Sequence, residues 1–464
     1  MSIIAGFVVP HAPILVSEVG KGEEHKVQKT VDSYLQVAKD IASIKPDTII
    51  ISSPHAECYS DYFSFCGKDK GHATLTNFQA PQCHFDVDYD TELTSEIAHL
   101  ASCQEFPAGT LGGNDSTDFT MDHGSMVPLY FINQFYKAYK LVRVGISGLS
   151  YSQHYQLGLL IQKAIEKLGR RAVYVASGDL SHCQKKDGPY GYKEVGPKYD
   201  QSIMNTLKSA DFKGLLEYDP ELVDEAEVCG HSSFAIMAGA LDQRDLEVKV
   251  LSHEDTFGIG YGIVKYYVRG IDEKRNLVDQ YKTDLVKKIE AKHRKADPFA
   301  ALAIKAVNYY VTNQKPMPLD ENIEKELLNQ KAGVFVSIHE EQRLRGCIGT
   351  IMPTKANVAL EIISNSASAS SFDSRFDPIK SKELPYIDIS VDVLSPFEKI
   401  SSKEMLNPKK YGVFVKKDNS QGILLPDLEG VDTVDEQISI AKRKAGIPQK
   451  EAVELYRFTT TRHV

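Results

Sequence analysis

The chain has 464 residues, of which 42% are hydrophobic and 25% charged, and its formal net charge is -9. This length exceeds one ordinary compact core, so we expect at least two domains. The acidic balance excludes a general nucleic-acid binder, which needs a basic face, and no run of eighteen apolar residues predicts a membrane span.

The first 270 residues alternate between apolar runs of strand length and stretches with helical spacing. Strands are predicted at 3–9, 47–53, 140–147 and 172–178, and two more in "LEVKVLSHED" and "GIGYGIVKYYVRG". Helices are predicted near 21–43, 90–102, 125–137, 152–168, 197–209 and 231–242. Near-continuous β-branched runs separated by helices indicate an α/β domain at 1–270, with a mainly parallel central sheet flanked by helices.

The remaining chain has a different pattern. Residues 271–296 are rich in Lys and Glu and poor in large apolar side chains, which predicts a charged linker containing the domain boundary. Beyond it, hairpins are predicted at 333–350 and 412–426, a strand at 386–395, and helices at 298–313, 355–368 and 433–445. This pattern is typical of an α+β domain, here at 297–464, with an antiparallel sheet.

Histidines follow three of the predicted parallel strands. His11 in "VVPHAP" follows the first strand, His55 in "SSPHAE" the second, and His182 in "SGDLSH" the strand at 172–178. Because the carboxyl ends of parallel strands meet at one edge of a sheet, we expect these side chains to converge. Two imidazoles and a carboxylate suit Fe(II), and Zn²⁺ accepts the same ligands. A lone histidine after a strand is more often a loop residue or a helix cap. The prediction therefore depends on the recurrence of a histidine after three strands.

Five motifs in order resemble the class III extradiol dioxygenases of the LigB type and the related Memo-like proteins, over roughly residues 1–270. They are "VVPHAP", "SSPHAE", "MDHGSMVPLYF", "SGDLSH" and "EVCGHSSFAIMAGAL". The resemblance implies that His11 and His55 are metal ligands. It also implies that His123 and His182 transfer protons around a catecholate and oxygen, with Fe(II) as the metal.

The third metal ligand is the open point of this resemblance. In the dioxygenases it is a glutamate, for which Glu227 is the candidate, whereas in Memo-like proteins a cysteine in a "CG" context occupies the region, as Cys229 does here. A thiolate would favour a softer metal, copper or zinc, over oxygenase chemistry. Asp179 either orients His182 or caps the following turn.

The second domain resembles the AMMECR family over roughly 297–463, most distinctively in "LRGCIGT" at 344–350. This resemblance implies an α+β fold for the second domain but no biochemical activity. Cys347 in the motif is either a reactive thiol or a small packed residue, and the packed alternative is favoured. Arg345, Asp373 and Arg375 form a candidate patch for an anion or a partner.

Fusions of this kind resemble the AmmeMemoRadiSam system, which implies a radical SAM partner protein and a macromolecule or modified residue as substrate. Three functions therefore stay open: a ring-cleaving dioxygenase on a catechol-like or modified aromatic substrate, a metal-binding partner without turnover, and a zinc hydrolase with His182 or Glu227 as base. The seven cysteines form no CxxC pair and no leader sequence is recognised, so we expect a cytoplasmic protein. The oligomeric state stays open, with a homo-oligomer among the alternatives.

Overall fold

The computed structural model describes residues 2–111, 120–320, 323–428 and 430–464. It divides into two units, Met1–Tyr281 and Lys282–Val464, and the division falls inside the segment 271–296 that was predicted as a linker. Much of that segment is a helix, Leu277–His293.

The first unit alternates strands and helices along the chain. Its helices are α1 (Ser17–Gly20), α2 (Gln28–Ile44), α3 (Thr91–Cys103), α4 (His123–Asn133), α5 (Tyr151–Leu168), α6 (Val195–Ser209), α7 (Phe212–Leu216), α8 (Pro220–Glu225) and α9 (His231–Ala240). Its strands are β1 (Ile3–Val9), β2 (Thr48–Ser53), β3 (Phe63–Ser64), β4 (Lys70–Leu75), β5 (Ala80–Asp88), β6 (Ala108–Gly109), β7 (Lys140–Gly145), β8 (Ala172–Ser177), β9 (Arg244–Glu254) and β10 (Tyr261–Ile271).

Six of these strands form the central sheet, in the order β7-β2-β8-β1-β10-β9. The pairs β7–β2, β2–β8 and β8–β1 are parallel, whereas β10 runs antiparallel to β1 and β9 antiparallel to β10. Strands β2 and β8 are buried along their whole length, which explains their unbroken apolar runs. The mostly parallel sheet predicted from the sequence is therefore confirmed.

Helices cover both faces of this sheet. Helices α2 and α4 pack on one face with Phe7 and Val9 of β1. Helix α9 packs on the other face, where a Cβ on Gly6 would lie 2.7 Å from the Leu241 side chain that follows α9. This layering leaves the carboxyl ends of β1, β2 and β8 open at one edge, where the predicted histidines lie.

The second unit is the separate α+β domain that was predicted, with two four-stranded antiparallel sheets. Its helices are α10 (Leu277–His293, beginning in the first unit), α11 (Pro298–Asn313), α12 (Lys325–Asn329), α13 (Val358–Ser371) and α14 (Val434–Lys444). Its strands are β11 (Val334–Glu340), β12 (Arg343–Gly349), β13 (Ile387–Leu394), β14 (Glu398–Ile400), β15 (Gly412–Lys417), β16 (Ser420–Leu424), β17 (Glu454–Phe458) and β18 (Thr460–His463).

One sheet of the second unit has the order β12-β11-β13-β18 and the other β14-β17-β15-β16. The first packs on α11 and α13 through a core that includes Val336, Ile338 and Ile389. The second packs on α14 around Val413, Val415 and Ala441. No described helix in either unit combines the length and the apolar composition that crossing a bilayer requires.

Candidate metal centre

His11 and His55 lie just beyond the carboxyl ends of β1 and β2, with β8 between those strands. Their Nε2 atoms face each other at 3.0 Å, and the two rings meet edge to face with centroids 4.8 Å apart. His11 is 2% exposed. The structure therefore brings together the two histidines that the sequence pairs.

Cys229 supplies a third donor from the loop before α9. Its Sγ lies 3.5 Å from His11 Nε2, and the donor atoms of His11, His55 and Cys229 all lie within 4.8 Å of one another. Tetrahedral zinc with ordinary bond lengths would separate a nitrogen and a sulfur ligand by about 3.6 Å and two nitrogens by about 3.4 Å. The three side chains are therefore spaced as metal ligands.

Two glycines explain why Cys229 reaches this place. A Cβ on Gly178, directly after β8, would lie 2.1 Å from the Cα of Gly230, so the two backbones are in close contact. Gly230 donates its N–H to the Asp179 carbonyl at 3.0 Å, and the Asp179 N–H donates to Cys229 Sγ at 3.2 Å. The loop is thereby fixed against the end of the central strand.

Glu227, the other candidate for the third ligand, points elsewhere. The chain turns at this residue with a positive φ of 53°, and its carboxylate pairs with Lys193 at 3.2 Å. Its side chain is 46% exposed. The structure brings Cys229 to the histidines and does not bring Glu227.

Hydrogen bonds set the tautomer of His11. The Ser177 hydroxyl donates to the Gly124 carbonyl at 2.5 Å, so its lone pairs are left to accept from His11 Nδ1, 3.0 Å away. His11 then carries its proton on Nδ1, and the Nε2 lone pair faces His55 and Cys229. Burial lowers the pKa of His11 well below its usual value and also lowers that of His55, which keeps both rings neutral.

A buried carboxylate and an arginine hold the turn that carries His55. Asp122 caps the start of α4 by accepting from the Ser125 N–H, and it also accepts from the Ser53 hydroxyl at 2.5 Å. Ser53 in turn accepts from the His55 N–H at 3.2 Å. Although burial opposes ionisation, Arg143, whose Nη1 lies 3.0 Å from Asp122, helps to lower the pKa of this carboxyl.

His123 lies beside the three donors without joining them. Its ring stacks on His55 with centroids 4.2 Å apart, and it meets His11 and Phe78 edge-on at 5.4 Å each. Burial, with a contribution from His11, lowers the pKa of His123 to about 4. The ring is therefore neutral at pH 7 and able to accept a proton.

Asp179 and His182 form the opposite side of the centre. The Asp179 carboxylate accepts from the His11 N–H at 2.8 Å, and its other oxygen lies 3.9 Å from His11 Nε2 and 4.0 Å from His182 Nε2. Burial raises the pKa of Asp179 to about 6. The His182 ring stacks on Tyr190 with centroids 4.9 Å apart. Asp179 thus faces both histidines and is more than a turn cap.

Sequence reasoning missed several contributors to this centre, among them Ser177, Asp122, Phe78 and Tyr190. Ser177 lies at the end of the strand predicted at 172–178, and the sequence analysis singled out only His182 beyond that strand. Phe78 lies between β4 and β5, which form a hairpin that was not predicted. The β5 sequence "APQCHFDVD" contains a proline and shows little apolar alternation, so it does not indicate a strand. An Asp-His dipeptide directly before a helix was the available signal for Asp122.

Comparison with known proteins agrees with this architecture. Residues 5–264 match the family described as the catalytic LigB subunit of aromatic ring-opening dioxygenase, and residues 300–463 match AMMECR1. Protein CA_C1420 of Clostridium acetobutylicum is 40% identical over 470 aligned positions, which cover 100% of this chain and 99% of that protein. A Thermotoga maritima protein is 49% identical over 168 positions, covering 36% of this chain and 97% of that protein.

Among solved structures, the uncharacterized protein PH0010 from Pyrococcus horikoshii aligns with a TM-score of 0.33 and 28% identity, covering 35% of this chain and 88% of that one. The family match spans more than half of the chain and contains all three candidate donors. The chain belongs to the LigB family through its first unit and carries an AMMECR1 domain in its second.

Proposed function

We propose that the first unit is a metal-dependent oxidoreductase of the ring-opening dioxygenase type, acting on a catechol-like or modified aromatic substrate. The observation that carries the proposal is that two imidazoles, His123 and His182, lie beside the group of His11, His55 and Cys229 without belonging to it. A protein that only holds a metal needs no such proton carriers. Membership of the LigB family supports the same class of reaction.

His11, His55 and Cys229 would hold the metal, which we propose to be Fe(II). Their two imidazole nitrogens and one sulfur also suit zinc and copper. When bound, a redox-active metal would supply the electron transfer between an aromatic diol and dioxygen. The neutral rings of His11 and His55 are already in the ligand form, whereas burial raises the pKa of the Cys229 thiol, which must lose its proton to bind.

We assign the proton transfers to the two remaining histidines. His123 is partly buried and its ring contacts His55 and Phe78 beside the three donors, so it is placed to accept a proton from a substrate hydroxyl. His182, whose Nε2 lies 4.0 Å from the Asp179 carboxylate on the other side of the centre, is placed to donate a proton of its own to the product, and proton exchange with solvent would then restore both rings.

The second candidate is a metal-binding partner protein without turnover, and Cys229 is the observation that favours it. The LigB-type dioxygenases have a glutamate as third ligand, whereas the sulfur here favours softer metals. From the resemblance of this fusion to the AmmeMemoRadiSam system, we propose a radical SAM protein as the partner in that case.

Iron loading in the absence of oxygen separates the two candidates. The full chain is reconstituted with Fe(II), its iron content is measured, and it is mixed with a panel of 3,4-dihydroxy aromatic compounds in air. The enzyme proposal expects a yellow ring-fission product, lost in His123→Gln and His182→Gln variants that keep their iron. His25→Gln, with a side chain 73% exposed, is the matched control and should match the wild type. Stoichiometric iron without product across the panel would reject the enzyme and favour the partner protein.

A further inference from the structure

The sheet β12-β11-β13-β18 has a polar region on its outer face, opposite its packed core. In the strand register, Cys347 lies opposite Ser337, and Ser337 lies opposite Ser390. A thiol and two hydroxyls therefore form one row across three strands, and all three residues are partly exposed. The Ser337 hydroxyl donates to Cys347 Sγ at 3.2 Å.

Packing explains the two glycines of the "LRGCIG" motif. A Cβ on Gly346 would lie 2.3 Å from the Ala369 carbonyl oxygen of α13, on the inner face. A Cβ on Gly349 would lie 2.3 Å from the Phe335 ring on the outer face. Cys347 lies between these glycines with its side chain on the outer face, away from the core.

Arg375 is fixed on one side of the row. Because β12 is an edge strand, the Cys347 N–H and C=O that point away from β11 need other partners. Asp373 accepts from the Cys347 N–H at 2.9 Å, and Arg375 Nη2 donates to the Cys347 carbonyl at 3.2 Å. Arg375 also binds the buried Asp373 through Nε and Nη2, at 2.9 and 2.7 Å. The Arg375 side chain nevertheless stays 56% exposed.

Arg462 is fixed on the other side in the same way. It binds Asp392 through Nε and Nη2 at 3.0 Å each, and the Asp392 side chain is 3% exposed whereas that of Arg462 is 66% exposed. Arg462 lies opposite Asp392, and Asp392 lies opposite Phe335, two residues along β11 from Ser337, so Arg462 is on the same outer face in the row next to that of Cys347. Burial is the main cause of the lowered pKa of His339, and the charge of Arg462 adds to it. Arg345, which the sequence grouped with Arg375, instead binds Glu383.

We propose that this outer face is a binding site for an anionic group, a carboxylate or a phosphate, held between Arg375 and Arg462 beside Cys347. Each guanidinium is oriented through one edge by a buried aspartate. Within the described part of the chain, neither Nη1 donates to a protein acceptor, so each arginine keeps donors for a ligand. Such a site would lie wholly within the second unit and would give the AMMECR1 domain a class of ligand.

Alkylation of the full chain with an anionic and a neutral reagent tests the proposal. Iodoacetate and iodoacetamide are compared at low salt, and mass spectrometry follows Cys347 together with the exposed Cys103 as an internal reference. The ratio of the iodoacetate rate to the iodoacetamide rate should be at least about threefold higher at Cys347 than at Cys103, because the guanidinium donors that Asp373 and Asp392 leave free can bind the carboxylate of the anionic reagent. Inorganic phosphate should slow the modification of Cys347 and show saturation.

Arg375→Gln and Arg462→Gln should each lower that ratio without changing the iodoacetamide rate. Arg457→Gln is the matched control, since Arg457 binds Glu398 through the same two-point contact in the other sheet. An equal ratio at Cys347 and Cys103 in the wild type would overturn the proposal. If the arginine variants unfold, the wild-type phosphate titration decides: saturable protection of Cys347 supports the site, and its absence rejects it.

Discussion

Replacing Cys229 by serine is expected to weaken metal binding by about a hundredfold to a thousandfold and to leave the fold intact. The Cys229 sulfur lies 3.5 Å from His11 Nε2, the spacing of two ligands on one metal. Structural zinc sites with four ligands bind with about 10–16 kcal/mol, so an equal share for one thiolate is about 2.5–4 kcal/mol. Losing that contribution corresponds to the expected change in affinity.

The same variant should change how metal affinity depends on pH. Burial raises the pKa of the Cys229 thiol, so the thiol is protonated at neutral pH and binding releases one proton. The affinity of the wild type should therefore rise by about tenfold from pH 7 to pH 8. The Cys229→Ser variant should show almost no such rise, because the pKa values of His11 and His55 are lowered and both rings are already neutral.

Competition with a chromophoric chelator measures both quantities, with Zn²⁺ as a redox-inert probe. Glu227→Gln is the matched control, since Glu227 pairs with Lys193 away from the histidines, and it should match the wild type in affinity and pH dependence. The reasoning is refuted if Cys229→Ser keeps wild-type affinity with the same rise, or if Glu227→Gln loses the metal.

Three further predictions follow from individual residues. His123→Gln should keep the metal and lower turnover by about 10²–10⁴-fold, measured as ring-fission rate at equal iron content. Gly178→Ala should lower the melting temperature of the first unit, because overpacking against Gly230 costs about 1–3 kcal/mol. Gly270→Ala is the control and should leave the melting temperature unchanged, because a Cβ at Gly270 meets open space. Burial raises the pKa of Glu340 from 4.5 to about 7, so ionisation of this carboxyl destabilises the folded state as pH rises through that range. Glu340→Gln should then stabilise the second unit by about 3 kcal/mol in urea unfolding at pH 8 and have no effect at pH 4.

The proximity of His11 and His55 could be predicted because it depends on sequence patterns close to each residue. Each histidine directly follows a β-branched run, and parallel strands separated by helices align their carboxyl ends whatever the details of packing. The exact strand order, with β8 between the two, was not needed for that inference. His182 follows β8 at the same edge for the same reason.

The choice between Glu227 and Cys229 was not predictable, because it depends on contacts distant in sequence. The turn at Glu227 has a left-handed φ, and the contact between Gly178 and Gly230 fixes which side chain faces the histidines. Glu227 and Cys229 are two residues apart in a loop, and hydrophobic periodicity does not show which of two loop side chains faces a site. Arg462, near the chain end, was not associated with Cys347 for the same reason, since only the pairing of β18 with β13 brings it to the outer face of that sheet.

X-ray absorption of the full chain loaded with one equivalent of zinc tests the central claim most directly. A centre made of His11, His55 and Cys229 predicts one sulfur scatterer at about 2.3 Å and imidazole nitrogens at about 2.0–2.1 Å. The sulfur contribution should disappear in Cys229→Ser and persist in Glu227→Gln. A shell of nitrogen and oxygen alone in the wild type would contradict the account.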